Sequence, residues 1–479
     1  MKKHNLFKAI GIIFLIFIVL SWIIPVGSFD SGSFVKGKIN PIGLSDMIYF
    51  PILTITTFIQ YGVILLVIGG FYGVVNKTGV YTNIVDYLVK KFKGKEKQFL
   101  IIIISLLSLL SSLSGLVWPL FVLVPFLMTV IISLGYGKLT ALASTVGAIL
   151  VGLIGSTYGM NSGYSNYFLN LGIHTDILAK IAILVVATFL LIVFVLAKAK
   201  KEIKKESTKK SEDKTETVKV EKPLYDGKAN SKKSAWPLII VFGLVFIVLL
   251  IGAYNWYLMF KFSYFTELYN DISAVTIKDI PIITNILGYT TVPFGYWGTY
   301  EVSLILVVAS LLLGWVYNIK FNDIISAFGE GAKKVIKPAF YVVLANILFT
   351  IMLNAQTGTN FTTLMNYILG LSEEANVFVS SIASVFGSFF YNDYYYMMSN
   401  VVKPVQAVWT DVGFYSMLGI VFQSIYGLMM LFLPTSMILI AGLSMTDISY
   451  KEWFKYIWKF LLQILAVVLI IALLLSMLV

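Results

Sequence analysis

The chain has no cysteine and no arginine among its 479 residues, and only two histidines. Without cysteine there is no disulfide, no thiolate nucleophile and no sulfur-ligated metal. Without arginine no planar guanidinium can grip a carboxylate or phosphate at two points, and all 36 basic residues are lysine. Charge is scarce too, at 13% of residues, far below what a soluble chain of this length needs to cover its surface. There is no Walker pattern, no Gly-rich phosphate loop and no His/Asp/Glu cluster at metal-ligand spacing. With no ATP site, any uphill work has to draw on an ion or exchange gradient.

What is present is apolar length. Hydrophobic residues make up 58% of the chain and mean hydropathy is +0.87. Runs able to cross a ~30 Å hydrocarbon core recur at 7–25, 178–197, 236–253, 302–317 and 460–479. The fold class is therefore an all-α polytopic membrane protein, with about 10–12 membrane segments. The first run follows Lys2, Lys3 and Lys8 but lacks a small-x-small cleavage site, and Trp22 and Pro25 mark an interface. It reads as a retained helix rather than a signal peptide. The net charge of +12 sits in lysines between the runs, where it sets topology rather than binding nucleic acid.

Lysine asymmetry places the N-terminus, the 77–97 stretch and residues 320–337 in the cytoplasm, and 255–300 outside. Residues 81–92 read as a short amphipathic helix in the interface. The stretch 198–235 is rich in Lys, Glu, Ser and Thr and is expected to be a disordered basic cytoplasmic loop. It separates a first membrane half, 1–197, from a second, 236–479.

The halves look like repeats. Gly135 to Thr157 and Gly413 to Thr435 are both 22 residues apart. Ahead of each lies an interrupted apolar stretch, a hairpin at about 98–134 with Ser111, Ser112, Ser114 and Gly115, and one at about 377–403 with Ser388, Asn392 and Asp393. The lysine-derived topology brings the two hairpins in from opposite sides. Inverted repeats with broken helices are the pattern of secondary transporters, which bind substrate and ions at the breaks.

Candidate binding residues follow. Irregular backbone at membrane depth is tolerated only under protein or beside a water-filled cavity. The candidates are Ser112, Ser114 and Gly115 at the first tip, and Ser156, Thr157 and Asn161 at the first broken helix. In the second half they are Ser388, Asn392 and Asp393 at the tip, and Gln423, Thr435 and Ser436 at the broken helix. For each hydroxyl the bland alternative is a bond to its own helix's i−4 carbonyl. Asp393 stands in a tyrosine-rich run, and an intramembrane acid is a functional candidate by default. It could take a cationic substrate group, Na+ or a coupling proton, or it could simply be wet within an aromatic belt. His174 reads as an outside loop residue, and Glu373 and Glu374 as a solvated turn. No catalytic residue, resident metal or cofactor is expected. Na+ or H+ is the coupling ion to consider, with Na+ at the same polar breaks. The partners are a small-molecule substrate and lipid, with a homodimer as a further expectation.

Several segments carry a family resemblance: Phe422-Gln423, Phe432-Leu433-Pro434-Thr435-Ser436 through Leu443, Tyr450-Lys451-Glu452-Trp453, Ile24-Pro25-Val26-Gly27, Gly69-Gly70-Phe71, Lys77-Thr78-Gly79 and Leu134-Gly135-Tyr136. In their order along the chain they resemble the YfcC-like carriers, which belong with the anaerobic C4-dicarboxylate carriers of the ion-transporter superfamily. The resemblance implies an inverted repeat with two re-entrant hairpins whose tips face broken helices. It also marks departures. The acidic pair usual at the first tip of that family is Ser114-Gly115 here. The Ser-Gly-Ser-Gly-like second tip is Phe390-Tyr391-Asn392-Asp393. The Asn-Pro of the first broken helix is Tyr158-Gly159-Met160-Asn161. Some members resemble arginine/ornithine antiporters, and an acid among tyrosines fits an amino or guanidino substrate better than a dicarboxylate. The expected function is a secondary transporter of amino acids or small organic ions, working by alternating access. The alternatives are a carboxylate carrier and, from another class, a membrane-embedded lipid-processing enzyme or flippase.

Overall fold

The structure is a computed structural model that describes residues 5–30, 33–212, 222–227, 231–278, 280–354 and 359–478. The first half begins with α1 (Asn5–Ser21), a small ribbon of β1 (Gly27–Asp30) and β2 (Ser33–Lys36), α2 (Leu44–Lys77) and α3 (Tyr81–Lys91). Then come α4 (Glu96–Ser114), α5 (Val117–Phe121), α6 (Val124–Ser133) and α7 (Lys138–Leu142). A π turn at Ala143–Gly147 leads into α8 (Ala148–Ile154), followed by α9 (Met160–Phe168) and α10 (Ile177–Glu212).

The second half opens with α11 (Trp236–Ala253), α12 (Trp256–Phe260), α13 (Tyr264–Ser273), the ribbon of β3 (Thr276–Ile277) and β4 (Ile280–Pro281), and α14 (Ile282–Leu287). Next are α15 (Thr299–Val316), α16 (Phe321–Lys333), α17 (Ile336–Leu344), α18 (Ile347–Leu353) and α19 (Thr359–Leu369). The chain closes with α20 (Val377–Phe390), α21 (Tyr394–Val408), α22 (Tyr415–Met430), α23 (Met437–Met445) and α24 (Tyr450–Ser476). Among the described residues eight helical stretches are long and apolar enough to cross a membrane, and four shorter apolar ones accompany them. The fold class is as expected, with two small β ribbons added in the connections.

In each half a hairpin packs on a broken helix. In the first, α4 turns back at Gly115 into α5 and α6, and α8 breaks over 155–159 before α9. In the second, α20 turns back at 391–393 into α21, and α22 breaks over 431–436 before α23. Serine hydroxyls stitch hairpin to broken helix. Ser108 and Ser111 of α4 donate to the carbonyls of Ala148 and Ile149, at 3.0 and 2.7 Å. Ser384 of α20 donates to the carbonyl of Phe422 at 3.2 Å.

The two broken helices run antiparallel along their whole length. Gly419 lies against Leu169 and Ser165, Ser424 Oγ donates to Ile154 O at 2.8 Å, and Gly442 lies against Leu142 and Val146. As one chain climbs from 419 to 442, its partner descends from 169 to 142. That is the geometry of an inverted repeat. Around this pair α2 packs against α15, α16 and α17. Glycine makes the approach possible, since a Cβ on Gly73 would collide with the Ala327 carbonyl and one on Gly331 with that of Gly69.

The basic segment between the halves departs from the expected disordered loop. Helix α10 continues to Glu212, because Lys, Glu and Ala are good helix formers. Residues 222–227 are docked: Asn76 donates to Leu224 O at 2.6 Å, Thr129 donates to Pro223 O at 3.1 Å, and Asp226 pairs with Lys334. Residues 213–221 and 228–230, like Asp279, lie outside the described residues.

Candidate functional site

The first tip ends where Gly115 takes a left-handed conformation (φ +69°), which an L side chain resists. A Cβ there would also stand 2.6 Å from the Met160 nitrogen, so the tip presses directly on the broken helix. The break itself is flanked by Gly155 and Gly159. A Cβ on Gly159 would lie 2.8 Å from Ser112 O. Ser112 satisfies backbone freed by the interruption. Its hydroxyl donates to Gly155 O at 2.7 Å and meets Thr157 Oγ1 at 3.1 Å, while Thr157 N donates to Ser112 O at 3.0 Å.

The second tip is organised by its asparagine. Asn392 Nδ2 donates to Asn346 Oδ1 and to Thr435 O, both at 3.0 Å, and Tyr426 donates to Asn392 O at 2.9 Å. Asn392 thereby ties this tip to the α17–α18 junction and to the second break. Asp393 caps α21, accepting from Tyr396 N at 3.2 Å. The carboxylate thus has a structural partner at the positive end of a helix.

The halves join at the first break and along α9. Gln423 Nε2 donates to Ser156 O at 2.8 Å, and Ser165 and Tyr394 share a hydroxyl–hydroxyl bond of 2.6 Å. Beside this seam lies a cavity of about 390 Å³. The first tip (Gly115), α9 (Asn161, Tyr164), the second tip (Asn392, Asp393) and α22 (Tyr426) all line it. It also reaches α2 at Tyr61 and the start of α15 at Tyr300. Among the described residues Asp393 is the only lining carboxylate, and none that line the cavity is basic.

Of the residues singled out from the sequence, Gly115, Asn161, Asn392 and Asp393 line the cavity. Ser112, Ser156, Thr157, Gln423 and Thr435 form the frame behind it. Ser436 caps α23 through its backbone alone. Ser114 and Ser388 do something simpler. Their hydroxyls return to the i−4 carbonyls of Leu110 and Ser384, at 2.6 and 2.7 Å. His174 is near the surface, 3.3 Å from the Tyr158 hydroxyl.

Sequence reading missed Tyr61, Tyr164, Tyr426 and Asn346. The first carries a usable signal, because Gln60-Tyr61 is a polar pair in the middle of an apolar span. The rest are single residues whose role depends on who faces them. A further buried group, Lys180, was also missed. It is 3% exposed, and its ammonium donates to Ser162 on α9 at 2.8 Å.

A polytopic helical protein with two antiparallel hairpin-and-break units, and a cavity at their junction, is a membrane transporter. The family model for the C4-dicarboxylate anaerobic carriers matches residues 5–392, and the chain belongs to that family. It is thus a multi-pass carrier and not an enzyme, with a small molecule and lipid as its partners. No curated protein matches the chain. Among solved structures it is similar to the YdaH transporter of Alcanivorax borkumensis, at 13% identity over 98% of this chain and 97% of that one, with a TM-score of 0.41. It is also similar to MtrF of Neisseria gonorrhoeae, described within a class of antimetabolite efflux pumps. There the identity is 15% over 96% of this chain and 94% of that one, with a TM-score of 0.37.

Proposed function

We propose that this protein is a secondary active transporter that moves amino acids or small organic ions by alternating access, driven by an ion or exchange gradient. The observation that carries this reading is the position of the cavity. It lies where both hairpin tips and both broken helices converge, so a solute in it touches both inverted units at once. Rocking one unit against the other then changes which side the solute faces. The N-terminus is cytoplasmic in this reading, and the coupling ion is Na+ or H+. The unpartnered hydroxyl oxygens of Ser156 and Thr435 at the two breaks are oxygen ligands of the kind Na+ takes.

Family membership favours a second reading, a C4-dicarboxylate carrier. Against it, a dianion would sit beside Asp393 with no basic lining residue to offset the charge. This balance fits the YfcC-like, arginine/ornithine-antiporter-like side of the resemblance better.

The test is counterflow in proteoliposomes preloaded with amino acids or with dicarboxylates, with and without Na+. Exchange of an amino acid supports the first reading. Exchange of dicarboxylates alone replaces it with the second, and no exchange of any solute removes both.

A further inference from the structure

The cavity presents two chemically opposite ends. At one, helix α9 begins at Gly159, which has no side chain to cap it, so its first-turn amides lack a side-chain cap, with Met160 N lying against Gly115 of the first tip. Met160, Asn161 and Tyr164 of that first turn and a half line the cavity. Asn161 is 6% exposed, and its Nδ2, a donor, is buried with no hydrogen-bond partner. A buried donor left unmet costs about 1–3 kcal/mol, which is the mark of a group waiting for an acceptor. The positive end of the helix dipole points the same way.

At the other end, α21 begins with an acidic side chain. Asp393 already occupies its N-cap, so this helix terminus is closed to anions. Next to it Asn392 is also 6% exposed, and here the unpartnered buried atom is Oδ1, an acceptor. Tyr61, Tyr164 and Tyr426 line the cavity together with Asp393. Rings around a carboxylate make a good seat for an ammonium, through cation–π attraction and direct charge pairing.

The two half-helix termini are therefore not equivalent. One lacks an acceptor and the other lacks a donor cation. We infer that the cavity takes a zwitterion, an α-amino acid whose carboxylate lies at the start of α9 beside Asn161 and whose ammonium lies against Asp393 and Asn392. This assignment rests on the transporter reading above and narrows its substrate to molecules carrying both charges. A dicarboxylate would fill the α9 end and repel Asp393. A simple amine would fill the other end and leave the α9 donors unmet.

The test is counterflow with three matched solutes: a neutral α-amino acid, the amine lacking its carboxylate, and succinate. The amino acid is expected to exchange at least 10-fold faster than either of the others. Two near-isosteric variants assign the ends. Asn161→Asp sets a carboxylate against the substrate's own, and should abolish amino-acid exchange while sparing the slow amine. Asp393→Asn should abolish amino-acid and amine exchange alike, and both variants should elute as monodisperse protein.

Parity of succinate or amine with the amino acid overturns the zwitterion assignment and leaves the transporter reading standing. So does an Asn161→Asp variant that exchanges the amino acid at full rate. No exchange of any of the three by the unaltered protein overturns the zwitterion assignment, and the wider panel of amino acids and dicarboxylates then decides the transporter reading.

Discussion

Gln423 in the second half donates its side-chain amide to the main-chain carbonyl of Ser156 in the first, across 267 positions of sequence and 2.8 Å of space. That carbonyl belongs to the interrupted backbone of the first broken helix and has no place in a helical ladder. The bond joins the interrupted stretch of the first unit to the intact helix α22 of the second.

Gln423→Leu removes the donor and leaves a buried carbonyl unmet, at a cost of about 1–3 kcal/mol. The expected result is a lower melting temperature in detergent together with reduced exchange. A variant as stable and active as the parent would show that the seam is held elsewhere.

Asp393→Asn separates charge from capping. Asparagine is as good an N-cap as aspartate, so α21 should keep its start and the protein its stability. Transport should be lost because the carboxylate is gone. Undiminished uptake by well-folded variant protein in liposomes would remove Asp393 from the binding site.

At the first tip, Gly115→Ala combines a left-handed backbone with a Cβ pushed 2.6 Å from Met160 N. The conformation alone costs roughly 1–2 kcal/mol, and the contact adds to it. We expect a melting temperature lowered by more than Gly135→Ala lowers it. Gly135 is also left-handed (φ +96°), but its Cβ would meet nothing within 4 Å. Equal effects at the two sites would mean that the close approach to the broken helix is not what constrains the tip.

Lys180 gives a sign prediction. Its ammonium is buried and held by Ser162. Ser162→Ala leaves a buried charge without that partner and should destabilise by about 1–3 kcal/mol. Lys180→Met removes the charge along with the need for a partner, so its effect on stability should be small or favourable. Thermal unfolding of the two variants side by side decides the matter. A larger loss for Lys180→Met would show that the ammonium is held by more than this one hydroxyl.

Much of this organisation was readable along the chain. Recurrent apolar length without compensating charge leaves a helical membrane protein as the only way to satisfy the backbone. The four interruptions stood out because Ser, Gly, Asn and Asp are conspicuous in such a background. Ser114 and Ser388 stood out equally, yet they bond to their own helices. Composition cannot tell a hydroxyl turned inward on its helix from one turned toward a break, since both sit in the same kind of sequence.

Residue order alone therefore decided the class and marked four places where apolar helices are interrupted. Those depend on hydrophobicity and backbone chemistry, which act locally. Only tertiary packing decided that the broken helices run antiparallel, and that Gln423 meets Ser156 while Tyr61 and Tyr426 line one cavity with Asp393. The same packing left a donor of Asn161 and an acceptor of Asn392 unmet across one cavity. Those facts rest on contacts between residues far apart in the chain, and a hydrogen bond or a cavity wall exists only once both partners have been brought to it.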